Sequence, residues 1–363
     1  MDIDLIFFIL FWTGIFALDL LTGYYLFFGI IQKKKGIAMN ICLFLWISSS
    51  LFLMSEVSIR IKELLFQDIL FLHSVSFYQD EEFGWKRKQI FGDLKTNKLK
   101  IFIVGDSFTA GAGVNEDSMY YHCFESEGAE LFIYGGGGYG MTQEFLVIDR
   151  YFDQINLDIV MLQVSSNDFI NNQWELESRS YFNNNQMVRP YWINGRIQYK
   201  FPRSFGGTRV FLSTYSRLGY RFFDSLELMT YSLAVWGILQ SVESVIGEKG
   251  LDVAAFQKSV QVTDLLIKKI QDRVGDTPFI AFPTDTYEPY SSQFKRLFQE
   301  NNIAFVAHIP ESISREEAAS GPMRLKDGAH WNEKAHALAG QILLKFLHST
   351  VWPASSSGVK PKG

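Results

Sequence analysis

Two long apolar runs open the chain. Across residues 5–31 the only charged side chain is Asp19, and at about 1.5 Å of rise per residue this run reaches about 40 Å, enough to cross a bilayer with tilt. Residues 36–54 form a second, uncharged run. The pattern predicts a transmembrane helical hairpin over residues 1–55. Lys33, Lys34 and Lys35 between the runs are the only basic cluster near the membrane, so the positive-inside rule puts that loop in the cytoplasm and everything after residue 54 outside it. An acidic amino end, with Asp2 and Asp4, and the length of the first run argue against a cleaved signal peptide. Asp19 falls in mid-membrane, where an ionisable group either contacts a partner helix, including one from another membrane protein, or is tolerated near a bundle interior.

After the hairpin the period changes. Val57, Ile61, Leu64, Leu65, Ile69 and Leu70 recur at helical spacing, so residues 55–75 read as an amphipathic helix leaving the membrane. A polar stretch around Gly84 and Trp85 completes a connector to residue 97. From residue 98, short β-branched and aromatic runs alternate with helical ones. Strand 101–104, helix 118–127, strand 131–133, helix 142–154 and strand 158–164 come first. After an excursion follow helix 251–274, strand 279–282, helix 291–300, strand 303–307 and helix 332–348. This alternation predicts a parallel sheet covered on both faces, an α/β fold of the flavodoxin-like three-layer sandwich kind spanning residues 98–350.

The excursion, residues 169–250, breaks the alternation. Within it Asn194-Gly195 sits between alternating residues and predicts a β-hairpin over residues 191–199. A long helical stretch, 209–246, then carries an apolar segment at 226–239 with one charge. Packing on the domain's own core is the leading expectation for it, and a helix resting on the membrane or on a partner is the other. Tyr191, Trp192 and Tyr199 have the rings to stack on a sugar, or to serve in ordinary packing. The tail, 351–363, is rich in Ser, Gly, Lys and Pro and predicts disorder.

Composition and charge narrow the function. A formal charge of -5 and a pI near 5.8 give no basic field for a polyphosphate, which argues against nucleic acid as a partner. Cys42 falls in a predicted span and Cys123 in the α/β domain, so no disulfide between them is expected. The six histidines are scattered, none at ligand spacing with cysteines, and no metal site is expected.

Four short stretches carry candidate chemistry, each at the end of a strand or ahead of a helix. Gly105-Asp106-Ser107 ends the first strand and places a hydroxyl where open α/β sheets build their sites. Gly135 to Gly138, before Tyr139 and Gly140, offer backbone N–H groups. Ser165-Ser166-Asn167-Asp168 offers a side-chain amide, and Asp327-Gly328-Ala329-His330 offers a base with a carboxylate three residues upstream. In this order they resemble the SGNH (GDSL) hydrolase family, whose blocks read Gly-Asp-Ser, Gly, Gly-x-Asn-Asp and Asp-x-x-His. The resemblance covers roughly residues 98–350. Ser165 departs from it by replacing a glycine, and Ile133 stands where an Asn often precedes the glycine block.

The resemblance implies a role for each residue. Ser107 is the nucleophile, His330 the base that removes its proton, and Asp327 the carboxylate that orients the imidazole. The backbone N–H groups of Ser107 and Gly138 and the amide of Asn167 would form the oxyanion hole. Asp106 and Asp168 read as turn-holding residues, and Asn332 as the N-cap of the last helix. The implied activity is ester hydrolysis or acyl transfer through an acyl-serine, without a cofactor. Membrane-anchored members often act on cell-envelope polysaccharide, so an O-acetyl glycan ester is the expected substrate and a lysophospholipase-type lipid esterase the alternative. From another class, a non-catalytic glycan-binding or assembly subunit would have no need of all four reacting residues.

Overall fold

In the computed structural model the described residues are 3–32, 36–65 and 98–352. They fall into two compact units, one built from residues up to 65 with 204–239, the other from 98–203 with 240–352. In the first unit, α1 (Ile3–Ile31) and α2 (Ile37–Leu65) pack on each other. Each has 29 residues, about 44 Å of helix. Asp19 finds its polar partner inside the pair: its Oδ1 accepts from the hydroxyls of Ser49 (2.7 Å) and Ser50 (2.8 Å) in α2. The partner helix of the contact expected for Asp19 is therefore α2. Helix α2 also continues unbroken to Leu65, so up to that point the expected amphipathic helix is its extension. Residues 66–75, the Lys33–Lys35 loop, the connector around Gly84 and Trp85, and the tail from residue 353 lie outside the described residues.

The second unit is the predicted sandwich. Its elements begin with β1 (Lys100–Gly105), α3 (Ser107–Ala110), α4 (His122–Ser126), β2 (Glu130–Gly135) and α5 (Met141–Tyr151). Next come β3 (Ile159–Val164), α6 (Asn167–Asn171), α7 (Trp174–Glu177), β4 (Arg189–Ile193) and β5 (Arg196–Lys200). The chain then leaves this unit through α8 (Gly206–Tyr215) and α9 (Arg217–Val235). It returns with α10 (Val242–Lys249), α11 (Ala254–Val274), β6 (Phe279–Pro283), α12 (Tyr290–Glu300), β7 (Ala304–Phe305), α13 (Ile309–Ser320) and α14 (Glu333–Thr350).

Five parallel strands pair in the order β2-β1-β3-β6-β7, the flavodoxin-like order. Side chains alternate across a strand, and that alternation splits the core in two. Phe102, Val104, Val160 and Leu162 face α5, α11 and α12, while Ile101, Ile103, Ile159 and Met161 face α4, α13 and α14. Strand order reverses between β1 and β3, so their carboxyl ends flank the crevice where such sheets hold their ligands. The last strand has two residues rather than the expected five, and α13 is an additional helix that the alternation does not predict. Asn332 caps α14 as predicted, its Oδ1 accepting from the N–H groups of Lys334 and Ala335.

The stretch 209–246 departs most from expectation. It is three helices, broken at Ser216, which caps α9, and after Val235. Its apolar part lies in α9, which with α8 belongs to the unit of the apolar hairpin. Glu56 of α2, 1% exposed, accepts from the Ser216 hydroxyl (3.0 Å) and from the N–H groups of Arg217 (2.9 Å) and Leu218 (2.8 Å). Those bonds satisfy donors that an α9 start would otherwise leave orphaned.

His336 in α14 carries a stability prediction. Its ring stacks on Tyr120 at 6.0 Å and meets Trp331 edge-on at 5.5 Å, and burial, aided by the charge of His330, lowers its pKa from 6.5 to about 4. Above pH 6.5 neither folded nor unfolded chain is protonated there. Between pH 6.5 and 4 the unfolded chain binds a proton that the folded one refuses, so stability falls as pH falls, by about 3 kcal/mol at this group. His336→Phe is expected to remove this part, so that the gap in unfolding free energy between variant and wild type shifts by about 3 kcal/mol from pH 7 to pH 4. A constant gap across that window would refute it.

Candidate active site

The turn that carries Ser107 is held from two sides. After β1 the chain bends at Gly105, where an added Cβ would collide with the side chains of Thr109 and Gln163. Asp106 then caps α3, its Oδ1 accepting from the Phe108 N–H (3.0 Å). From β3, the buried Gln163 carbonyl oxygen accepts from the N–H of Asp106 (3.0 Å), the N–H of Thr109 (3.2 Å) and the Thr109 hydroxyl (2.9 Å). These bonds fix Ser107 at the first position of α3, with its Oγ facing the loop before α14.

That loop carries the imidazole of His330. His330 Nε2 lies 2.9 Å from Ser107 Oγ, and His330 Nδ1 lies 2.7 Å from Asp327 Oδ2. Asp327 Oδ1 meanwhile accepts from the N–H groups of Ala329 (2.9 Å) and His330 (3.1 Å), which locks the carboxylate to the loop. Burial alone would raise the Asp327 carboxyl, but the His330 ring bond and the two backbone bonds outweigh it and hold the group below the usual carboxylate range. An ionised Asp327 draws the Nδ1 proton, which leaves Nε2 as an acceptor for the serine hydroxyl. Phe108 and Trp331 support the imidazole, the Phe108 ring lying 5.1 Å from that of His330 and 5.2 Å from that of Trp331.

The donors assigned to the oxyanion hole converge on the same place. Ser107, Gly138 and Asn167 line one cleft of about 690 Å³ together with His330. Gly138 has φ of +69°, and a Cβ there would strike the Asn185 side chain, so the turn admits only glycine. Neither the Ser107 N–H nor the Gly138 N–H donates to another described residue. The Asn167 amide is engaged, donating to Tyr139 O (3.2 Å) and Asn171 Oδ1 (3.1 Å). To serve an oxyanion it must release or share one of these bonds.

Behind the cleft lie three buried carboxyls. Burial pushes Asp168 and Glu144 well above the usual carboxylate range, reinforced by the charge of Asp106 on Asp168 and of Asp168 on Glu144, and burial also raises Asp106. Asp168 also holds its turn, accepting from the Ser165 N–H (2.9 Å). No cluster of His, Cys, Asp and Glu suited to a metal ion is present among the described residues.

The excursion reaches the cleft by other residues than expected. The predicted hairpin forms, with Asn194 and Gly195 both at positive φ, but its three aromatic candidates do not line the cleft. Tyr191 is fully buried, and its hydroxyl donates to Glu177 Oε2 (2.8 Å). Trp192 lines a separate groove with Trp174, and each ring is capped by a lysine, Lys269 at 4.9 Å and Lys200 at 3.8 Å. Tyr199 is exposed and is not among the residues that line the cleft. Alternation along β4 turns Tyr191 inward, and none of the three rings lines the cleft that holds Ser107. Phe182, Asn183, Asn185 and Glu243 are the excursion residues that line the cleft.

Sequence reading also misses the braces. Gln163 is detectable as one polar residue in an apolar strand. The ion pair of Arg189 with Glu177 (3.0 Å), whose Arg189 Nη2 also donates to Gly138 O (2.7 Å), leaves no sequence signal because its partners lie 12 and 51 positions apart. Asp285, after β6, accepts from the Ser166 N–H (2.9 Å) and steadies the Asn167 turn.

No family model matches this chain, and no curated protein matches it. Among solved structures it is similar to TesA, at 10% identity and a TM-score of 0.39, with 69% of this chain and 98% of that one covered. A putative acylhydrolase from Bacteroides fragilis is similar at 12% identity and a TM-score of 0.38, covering 72% and 92%. A two-domain esterase active on acetylated mannans is similar at 12% identity and a TM-score of 0.37, and the match covers 69% of this chain and 49% of that one.

Proposed function

We propose that the chain is a membrane-anchored serine esterase of the SGNH type, acting on an O-acyl ester of a cell-envelope glycan. The observation that carries this reading is the relay from Ser107 Oγ through His330 to Asp327, at 2.9 and 2.7 Å, facing a cleft with two undonated N–H groups. His330 Nε2 takes the hydroxyl proton as Ser107 Oγ attacks the ester carbonyl carbon. Negative charge on the carbonyl oxygen is met by the N–H groups of Ser107 and Gly138 and by the Asn167 amide. Collapse breaks the bond to the alcohol oxygen, which receives the proton from His330 and departs. Water, or a second hydroxyl, then attacks the acyl-serine with His330 again as base, giving hydrolysis or transfer. The two apolar helices supply the anchor, and the basic loop at residues 33–35 favours placing the catalytic unit outside the cytoplasm.

Cleft chemistry favours a neutral hydroxylated alcohol over a phosphate headgroup. Glu243, Asp285 and Glu288 line it, and apart from His330 its one basic side chain is Arg324, already bonded to Ala329 O at 2.8 Å. The full chain is expected to deacetylate a neutral acetylated oligosaccharide with kcat/KM at least about tenfold above that for the same ester on a uronate or for a lysophospholipid, since like charges brought together are repelled. Preference for the lysophospholipid would replace the glycan reading with the lipid one.

A further inference from the structure

We infer that residues 204–239 form a third membrane-seated element, with the apolar face of α9 and the turn after it lying in the lipid of the bilayer that holds α1 and α2. This rests on the anchoring reading above and extends it to a segment inserted within the catalytic sequence.

Exposure is the first observation. Phe222, Leu228, Met229, Val235, Trp236 and Ile238 are 61, 65, 51, 56, 72 and 65% exposed. From residue 228 to residue 239 there is no charged side chain, whereas Arg217, Arg221, Asp224 and Glu227 all fall in the first eleven residues of α9. Large apolar side chains gathered in this way on a water-exposed helix carry a steep hydrophobic cost, and such a face marks contact with a membrane or a partner.

Continuity with the hairpin selects the bilayer as the occupant. Besides the Glu56 bonds to its first residues, α9 packs along α2. The turn before it is fastened to both hairpin helices. Trp12 Nε1 of α1 donates to Tyr215 O (2.9 Å), Phe11 meets Phe211 at 5.5 Å, and Arg60 Nη2 of α2 donates to Tyr215 O (3.4 Å). α2 exposes Leu51, Met54 and Val57 (59, 67 and 52%) in the stretch leading to and past Glu56. One apolar surface therefore runs from the hairpin onto α9, and lipid that covers the first meets the second.

Site-directed spin labelling tests this on the full chain in nanodiscs of phosphatidylcholine and phosphatidylglycerol. Cys42→Ser and Cys123→Ala supply the background, and single labels are placed by Leu228→Cys, Trp236→Cys, Leu21→Cys and Lys258→Cys. Collisions with oxygen are expected to exceed those with a water-soluble nickel chelate at 21, 228 and 236, with the order reversed at 258. Nickel-dominated collisions at 228 and 236 while 21 remains lipid-facing would overturn the inference and leave the anchor standing. Suppression of both collision types at 228 and 236 would also overturn it, in favour of coverage by another protein chain. A water-facing label at 21 would remove the anchor and the inference with it.

Discussion

Ser107→Ala is expected to lower kcat for a short-chain aryl ester by about 10⁶-fold and to abolish labelling by a fluorophosphonate probe. Its Oγ is the hydroxyl held 2.9 Å from the acceptor nitrogen of an imidazole that is itself oriented by a carboxylate, and removing it leaves only binding and the oxyanion donors. Because the relay acts as a unit, His330→Ala alone and both changes together should cost about as much as Ser107→Ala. The thermal midpoint should stay near that of the wild type, since the Ser107 side chain bonds only His330 among the described residues. Probe labelling that survives in Ser107→Ala would place the nucleophile elsewhere. Asp327→Asn should keep slow labelling, because it disturbs the tautomer of His330 without removing the attacking atom.

Arg189→Met is expected to cost about 3–5 kcal/mol of stability and on the order of 100-fold in kcat. Arg189 is 1% exposed; it pairs with the fully buried Glu177 at 3.0 Å and donates to Gly138 O at 2.7 Å, and Asn185 Nδ2 adds a second donor at 3.1 Å. The pair thus ties the Gly138 carbonyl to the excursion and fixes the turn that presents the N–H proposed for the oxyanion hole. Loss of the guanidinium strands a carboxylate that burial already pushes upward in pKa. Arg189→Met combined with Glu177→Gln separates the two roles: stability should largely return, because no charge is stranded and Tyr191 keeps its acceptor, while kcat stays low with KM little changed. Partial recovery of kcat on adding guanidinium to the Arg189→Met protein would point the same way. Wild-type kcat in the folded double variant would show that the Gly138 turn needs no brace.

Much of this architecture is written locally. Alternation in residues 101–104 and 159–164 is set by the pleat itself, so it announces both core layers ahead of any knowledge of packing. Asn194-Gly195 specifies the hairpin because both positions demand positive φ, and Asn332 specifies the start of α14 because its carbonyl oxygen reaches the next N–H groups. Ser107, Gly138, Asn167 and the Asp327 and His330 pair are legible for a related reason: each must sit just past a strand or just before a helix, and small or polar residues in such places stand out.

Tertiary structure alone decided which distant groups meet. Gln163, Glu177, Arg189 and Asp285 act across 54, 12, 51 and 119 positions of chain, and at such separations pairing is set by how the layers pack. The same limit explains the aromatic residues of the excursion, since sequence gives a ring and a register but not what lies opposite, and Tyr191 proves to face a buried carboxylate. It explains α9 as well. An apolar helical stripe reads alike whether it will face a protein core or hydrocarbon, because burial in either removes the same surface from water. Which of the two it meets depends on the helix beside it, and here that helix is α2, bound to the start of α9 through Glu56.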